Sequence, residues 1–131
     1  MSTEHAVRSV APPQVLIAED EEPIALAISF IVEDAGYVPL VATHGKEALE
    51  LARTRHPALI ITDLMMPQMN GRELIAALRQ EAQEAHEEHR IPIVLMTAAG
   101  TAYTVDSGAD ALLPKPFEIT QVEALLRRFL G

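Results

Sequence analysis

Five residues able to do chemistry stand at the ends of short apolar runs. Residues 15–18 lead into Glu19 and Asp20, residues 58–62 into Asp63, residues 91–96 into Thr97, and residues 111–114 into Lys115, which is followed by Pro116. Continuous apolar runs of this length read as buried parallel strands, and open α/β sheets hold ligands just beyond the carboxyl ends of their strands. The three acids, the hydroxyl and the lysine are therefore expected on one rim. Two like charges about 4 Å apart repel by roughly 4 kcal/mol at an effective dielectric near 20. Three carboxylates against one lysine call for a further cation, and a divalent metal is the simplest. Each residue alone says little, since an acidic pair after a strand is commonly a solvated helix cap and a lone Thr or Lys has no special meaning. The joint placement carries the reading.

The pattern around these residues alternates strand and helix five times. That predicts an α/β fold, a flavodoxin-like doubly wound (βα)5 domain with a parallel five-stranded sheet in the order 2-1-3-4-5. The second predicted strand, residues 37–42, contains Pro39, which cannot donate to a sheet ladder and belongs at an edge. Strand two is an edge strand in this order. Helices are expected over residues 22–35, over 45–54 and from 71 or 72 to about 86. A short polar helix or loop is expected over 99–108. A final amphipathic helix carries Ile119, Val122, Leu125, Leu126 and Phe129 on its apolar face.

At 131 residues the chain has room for one domain core, with residues 1–14 read as a flexible leader and 15–131 as the domain. Hydrophobic residues make up 49% and charged residues 22%, as in ordinary soluble domains. No apolar stretch approaches a membrane span and no signal-peptide core is present, so a cytoplasmic location is expected. The absence of cysteine removes disulfides, thiolate metal sites and thiol nucleophiles. A formal charge of −9, with Arg127-Arg128 the one basic pair, argues against direct nucleic-acid binding.

Asp63-Leu-Met-Met-Pro67-Gln-Met-Asn-Gly71 resembles the phosphoacceptor loop of bacterial two-component response-regulator receiver domains. Glu19-Asp20, Thr97-Ala98 and Lys115-Pro116-Phe117 resemble the family's other motifs, in the same order along the chain. The resemblance implies that Asp63 accepts a phosphoryl group from a phosphohistidine and that Asp20 is a direct Mg²⁺ ligand. It implies that Glu19 acts through a metal-bound water, and that Met65 gives its backbone carbonyl to the same ion. Thr97 resembles the hydroxyl residue that moves onto the phosphoryl oxygen, and Lys115 the lysine that pairs with it. It also implies a cis Lys115–Pro116 peptide. On this reading the phosphoryl group gives Thr97 and Lys115 partners that they lack in the free state, which switches a partner-binding surface.

The chain departs from the family pattern in several places. Leu112 stands where an aromatic ring is usual, and the 18 positions from Thr97 to Lys115 are about one helical turn short, which predicts a shortened fourth helix. Tyr103 is expected to substitute for the missing ring. Met65 and Ala99 occupy positions that influence attack by water on the phosphoryl group, and neither side chain can orient one by a hydrogen bond, so slow to intermediate self-dephosphorylation is expected. His86 and His89 read as a solvated helix end rather than a zinc pair, and Met65, Met66 and Met69 as packing.

The leading expectation is a stand-alone receiver, a phosphoacceptor that assists its own phosphotransfer and dephosphorylation without being an enzyme in its own right. Its partners would be a histidine kinase or histidine phosphotransfer protein and a downstream protein target, with neither nucleic acid nor membrane. A phosphorylation-independent binding scaffold is the alternative. An Asp-nucleophile phosphatase fits less well, because that layout places its nucleophile after the first strand in an Asp-x-Asp motif.

Overall fold

The parallel sheet is built from β1 (Gln14–Ala18), β2 (Val38–Ala42), β3 (Leu59–Asp63), β4 (Ile93–Thr97) and β5 (Ala111–Pro114), in the order β2-β1-β3-β4-β5. The computed structural model describes residues 11–86, 90–98 and 107–131. Four helices lie among them: α1 (Glu22–Asp34), α2 (Gly45–Arg55), α3 (Gly71–Glu84) and α4 (Ile119–Leu130).

The strands β1, β3 and β4 are apolar on both faces because both are covered. Alternation along them divides the core in two. Val15, Ile17, Leu59, Ile61, Val94 and Met96 pack with Ile28 and Val32 of α1 and Val122 and Leu126 of α4. Leu16, Ile60, Ile93 and Leu95 pack with Ala48 and Leu49 of α2 and Leu74 and Ile75 of α3. Burying one such aliphatic side chain is worth about 2 kcal/mol, so this central stretch sets the register. β2 is an edge strand, as Pro39 requires, with Pro39 opposite Val15.

Local chemistry ends the helices where the strands need them to end. Pro23 sits in the first turn of α1, and Gly36 follows its C-terminus at a φ of 96°. α2 is capped by the His44 ring, whose Nδ1 accepts from the Glu47 amide at 3.2 Å, and it stops at His56, left-handed at a φ of 48° and followed by Pro57. α3 opens with a reciprocal capping box between Asn70 and Glu73, both bonds at 2.9 Å.

The structure differs from the sequence expectation at several strand starts and in the burial of one residue. β1 starts at Gln14, inside the expected leader, and the Pro13 carbonyl already accepts from Val38 N–H at 2.9 Å. β4 spans Ile93–Thr97, starting just after Pro92, which has no N–H to give a ladder. Ile119, expected on the buried face of the final helix, is 62% exposed. It begins α4 and lines a shallow depression between α4 and α1 with Phe30, Glu33 and Glu123. Residues 99–106 of the helix or loop expected over 99–108, Ala99 and Tyr103 among them, and His89 lie outside the described residues.

Candidate functional site

Parallel strands deliver their carboxyl ends to the same rim, and this rim receives Glu19, Asp20, Asp63, Thr97 and Lys115. Glu19 follows β1 and is fixed by its own N–H, which donates to the Ala42 carbonyl of β2 at 2.9 Å. Its side chain is 1% exposed, with Oε2 accepting from Glu21 N–H at 3.1 Å and Oε1 facing Lys115 Nζ at 3.1 Å. Asp63 is 6% exposed, and its Oδ1 accepts from Leu64 N–H at 3.0 Å and from Lys115 Nζ at 3.0 Å. Thr97 is buried, and its carbonyl accepts from Lys115 N–H at 2.8 Å, tying the end of β4 to the end of β5. Asp20 is exposed beside them. Lys115–Pro116 is cis, as the resemblance implied.

Glu19, Asp20 and Asp63 each offer an oxygen within 4.8 Å of the others. The donors are hard oxygens, with a single lysine to balance three acids, and they fit Mg²⁺. Burial pushes the Glu19 carboxyl above its ordinary value and the Asp63 charge adds to the effect, although Glu21 N–H and Lys115 oppose it. Burial pulls Lys115 down, but its bonds to Asp63 and Glu19 outweigh that and hold the ammonium above its ordinary value.

One expectation is overturned here. Lys115 does not lack a partner in the free state, because it bridges Glu19 Oε1 and Asp63 Oδ1. A half-buried ammonium beside two buried carboxylates pairs at once, whatever else is to bind. Met65 lies in the loop after β3 with its side chain 72% exposed, and Leu112 is half-buried against the α2–α3 side of the sheet.

Sequence reasoning passed over the glycines that bring this loop in. A Cβ on Gly71 would lie 2.4 Å from the Asp63 carbonyl oxygen, and one on Gly45 would lie 2.0 Å from that of Met69. The N-termini of α3 and α2 thus press directly on the loop backbone. The Asn-Gly at positions 70–71 was the available signal.

A family model described as the response regulator receiver domain matches residues 15–127. The chain belongs to the response-regulator receiver family. This receiver is 32% identical over 121 residues to the alkaline phosphatase synthesis transcriptional regulatory protein PhoP of Bacillus subtilis, covering 89% of the chain and 48% of that protein. It is 36% identical over 124 residues to the DNA-binding dual master transcriptional regulator RpaA of Synechocystis, covering 88% of the chain and 50% of that protein. Among solved structures, the chemotaxis protein CheY4 of Vibrio cholerae matches with a TM-score of 0.80 and 31% identity, over 92% of the receiver and all of CheY4. The chain spans about half the length of the curated regulators it matches. Receiver domains accept phosphoryl groups in two-component signalling, bind Mg²⁺ at an acidic pocket, and interact with histidine kinases or phosphotransfer proteins. No helix among the described residues is long and apolar enough to cross a membrane.

Proposed function

We propose that Asp63 of this receiver takes a phosphoryl group from the phosphohistidine of a kinase or phosphotransfer protein, and that the resulting anion switches a partner-binding surface. The observation that carries this is the buried Asp63 carboxylate set among Glu19, Asp20 and Lys115. In the transfer, the P–N bond of the donor breaks with its electron pair returning to the imidazole, and a carboxylate oxygen of Asp63 forms the new P–O bond. No base is needed, because the nucleophile is already ionised. Phosphoryl transfer has a loose transition state, so the protein's work is alignment and charge stabilisation.

Glu19, Asp20 and Asp63 would hold Mg²⁺, with the Met65 carbonyl added by family resemblance. The ion, when bound, neutralises charge on the transferring group. Lys115 supplies a point charge from the opposite side and must leave Glu19 Oε1 or Asp63 Oδ1 to do so. Switching on this reading starts as an exchange of partners at Lys115, with Thr97 closing on the phosphoryl oxygen. The receiver is a phosphoacceptor rather than a multiple-turnover enzyme, and a cytoplasmic setting is part of the proposal.

The test is intact-mass spectrometry after incubation with acetyl phosphate. A gain of one phosphoryl group that requires Mg²⁺, is lost with EDTA and is absent in Asp63→Ala is the expected result. Uptake that persists in Asp63→Ala would place the acceptor elsewhere.

A further inference from the structure

We infer that the Thr62 hydroxyl is a positioning group for the Asp63 carboxylate, acting through the peptide unit that joins Asp63 to Leu64. The inference rests on the phosphoacceptor reading above and adds a residue to it. Thr62 is the one hydroxyl in a strand otherwise made of Leu59, Ile60, Ile61 and Asp63, and it is 0% exposed. A buried hydroxyl needs a partner, and this one donates to the Asp63 carbonyl oxygen at 3.0 Å.

That carbonyl has little freedom on its other side, because the Gly71 backbone closes in so far that a Cβ there would come within 2.4 Å of it. The opposite end of the same peptide unit is the Leu64 N–H. It is shared between the Met96 carbonyl of β4 at 3.1 Å and Asp63 Oδ1 at 3.0 Å.

A peptide unit is planar, so its C=O and N–H turn together. Holding the carbonyl on Thr62 holds the N–H on Oδ1. Lys115 Nζ reaches the same oxygen at 3.0 Å. With Oδ1 engaged by these two donors, Oδ2 is the oxygen presented to the incoming phosphorus. Without the hydroxyl, the peptide unit is left with only the Met96 bond and the Gly71 backbone to hold its tilt, which loosens the N–H on Oδ1 and widens the range of carboxylate orientations that alignment has to overcome.

Thr62→Val keeps the branched shape and removes the donor, whereas Thr62→Ser keeps the donor. With acetyl phosphate at saturating Mg²⁺, Thr62→Val is expected to take up phosphoryl roughly threefold to tenfold more slowly, the range of one hydrogen bond, and Thr62→Ser to stay within about twofold of the unmutated protein. The Leu64 amide proton resonance, which a packing role would leave in place, is expected to move in Thr62→Val and to return in Thr62→Ser. Urea midpoints of all three proteins separate lost stability from lost alignment, and Thr62→Ala replaces the valine variant if that fails to fold. Equal rates with and without the hydroxyl, or serine falling with valine, would overturn the inference. If the unmutated protein takes up no phosphoryl group, the phosphoacceptor reading fails instead. The Leu64 resonance then still decides the clamp, and an unmoved resonance in Thr62→Val rejects it.

Discussion

The two ends of the sheet hold similar numbers of acids and treat them differently. At the amino-terminal end of the strands, Glu50, Glu81 and Asp110 meet Arg53, Arg79 and Arg90, so charge is balanced. Arg79 donates to Asp110 Oδ2 at 2.7 Å, to the Ile91 carbonyl at 2.8 Å and to that of Gly108 at 3.2 Å, while Asp110 also accepts from Ile93 N–H at 2.8 Å and from Arg90 at 2.9 Å. That network anchors the entries to β4 and β5. At the carboxyl-terminal end, Glu19, Asp20 and Asp63 cluster, and Lys115 bridges two of them, Glu19 and Asp63. Similar residue types make a brace where the charges cancel and, on the function proposed above, a receptor for a cation and a phosphoryl group where they do not.

Changing the unbalanced end should have the largest effect on function. Asp63→Asn is expected to lose phosphoryl uptake completely, yet to be at least as stable as the unmutated protein in EDTA, because one of three crowded negative charges is gone. Mass spectrometry and thermal unfolding with and without Mg²⁺ check the two halves. A clear loss of stability in EDTA would mean that the acids are held together for structure.

Changing the brace should do the reverse. Asp110→Asn leaves two guanidinium groups with a weaker acceptor, one of them largely buried, and is expected to lower stability by about 2 kcal/mol. The phosphorylation rate of the folded protein should stay within about twofold, read by chemical denaturation and by uptake from acetyl phosphate.

The pH dependence distinguishes the ends further. Lys115 is raised above its ordinary 10.5, so its contribution is complete below that pH and is lost as pH rises through the higher folded value. In EDTA, the advantage of the unmutated protein over Lys115→Met should be constant between about pH 7 and 9 and shrink at more alkaline pH. An advantage that grew with pH would contradict the bridge to Glu19 and Asp63.

The smallest effect belongs to the exposed part of the brace. The Arg53 side chain beside Glu81 holds that carboxyl below its ordinary range, but solvent screens the pair, so what little stability it adds is too small to resolve and is lost only as acid protonates Glu81 below about pH 4.5. Both groups face solvent, and Glu81→Gln should leave the urea midpoint at neutral pH unchanged within error.

The unbalanced end was the legible one. Its residues are fixed by their places after apolar runs, and strand direction alone carries Glu19, Asp63, Thr97 and Lys115 to one rim. Pro39 identified the edge in the same way, by a donor it does not have. The brace was not legible, because Arg79 and Asp110 are separated along the chain by a helix end, a strand and the segment after it, and a polar residue late in an amphipathic helix reads as solvated. Thr62 and Ile119 escaped for a related reason. A hydroxyl inside an apolar run and an aliphatic residue at a helix start both look like core until the distances are known, and the pairing of Lys115 depended on which acids were buried.

The proline in β2 has a consequence for how this receiver meets other proteins. Val38 N–H is spent inward on Pro13, so the alternation of the strand turns position 39 outward, where no N–H exists. A strand from another chain arriving there finds a gap in the ladder it would have to extend. On the β2 side, extension of the sheet by a strand of another chain is thereby discouraged.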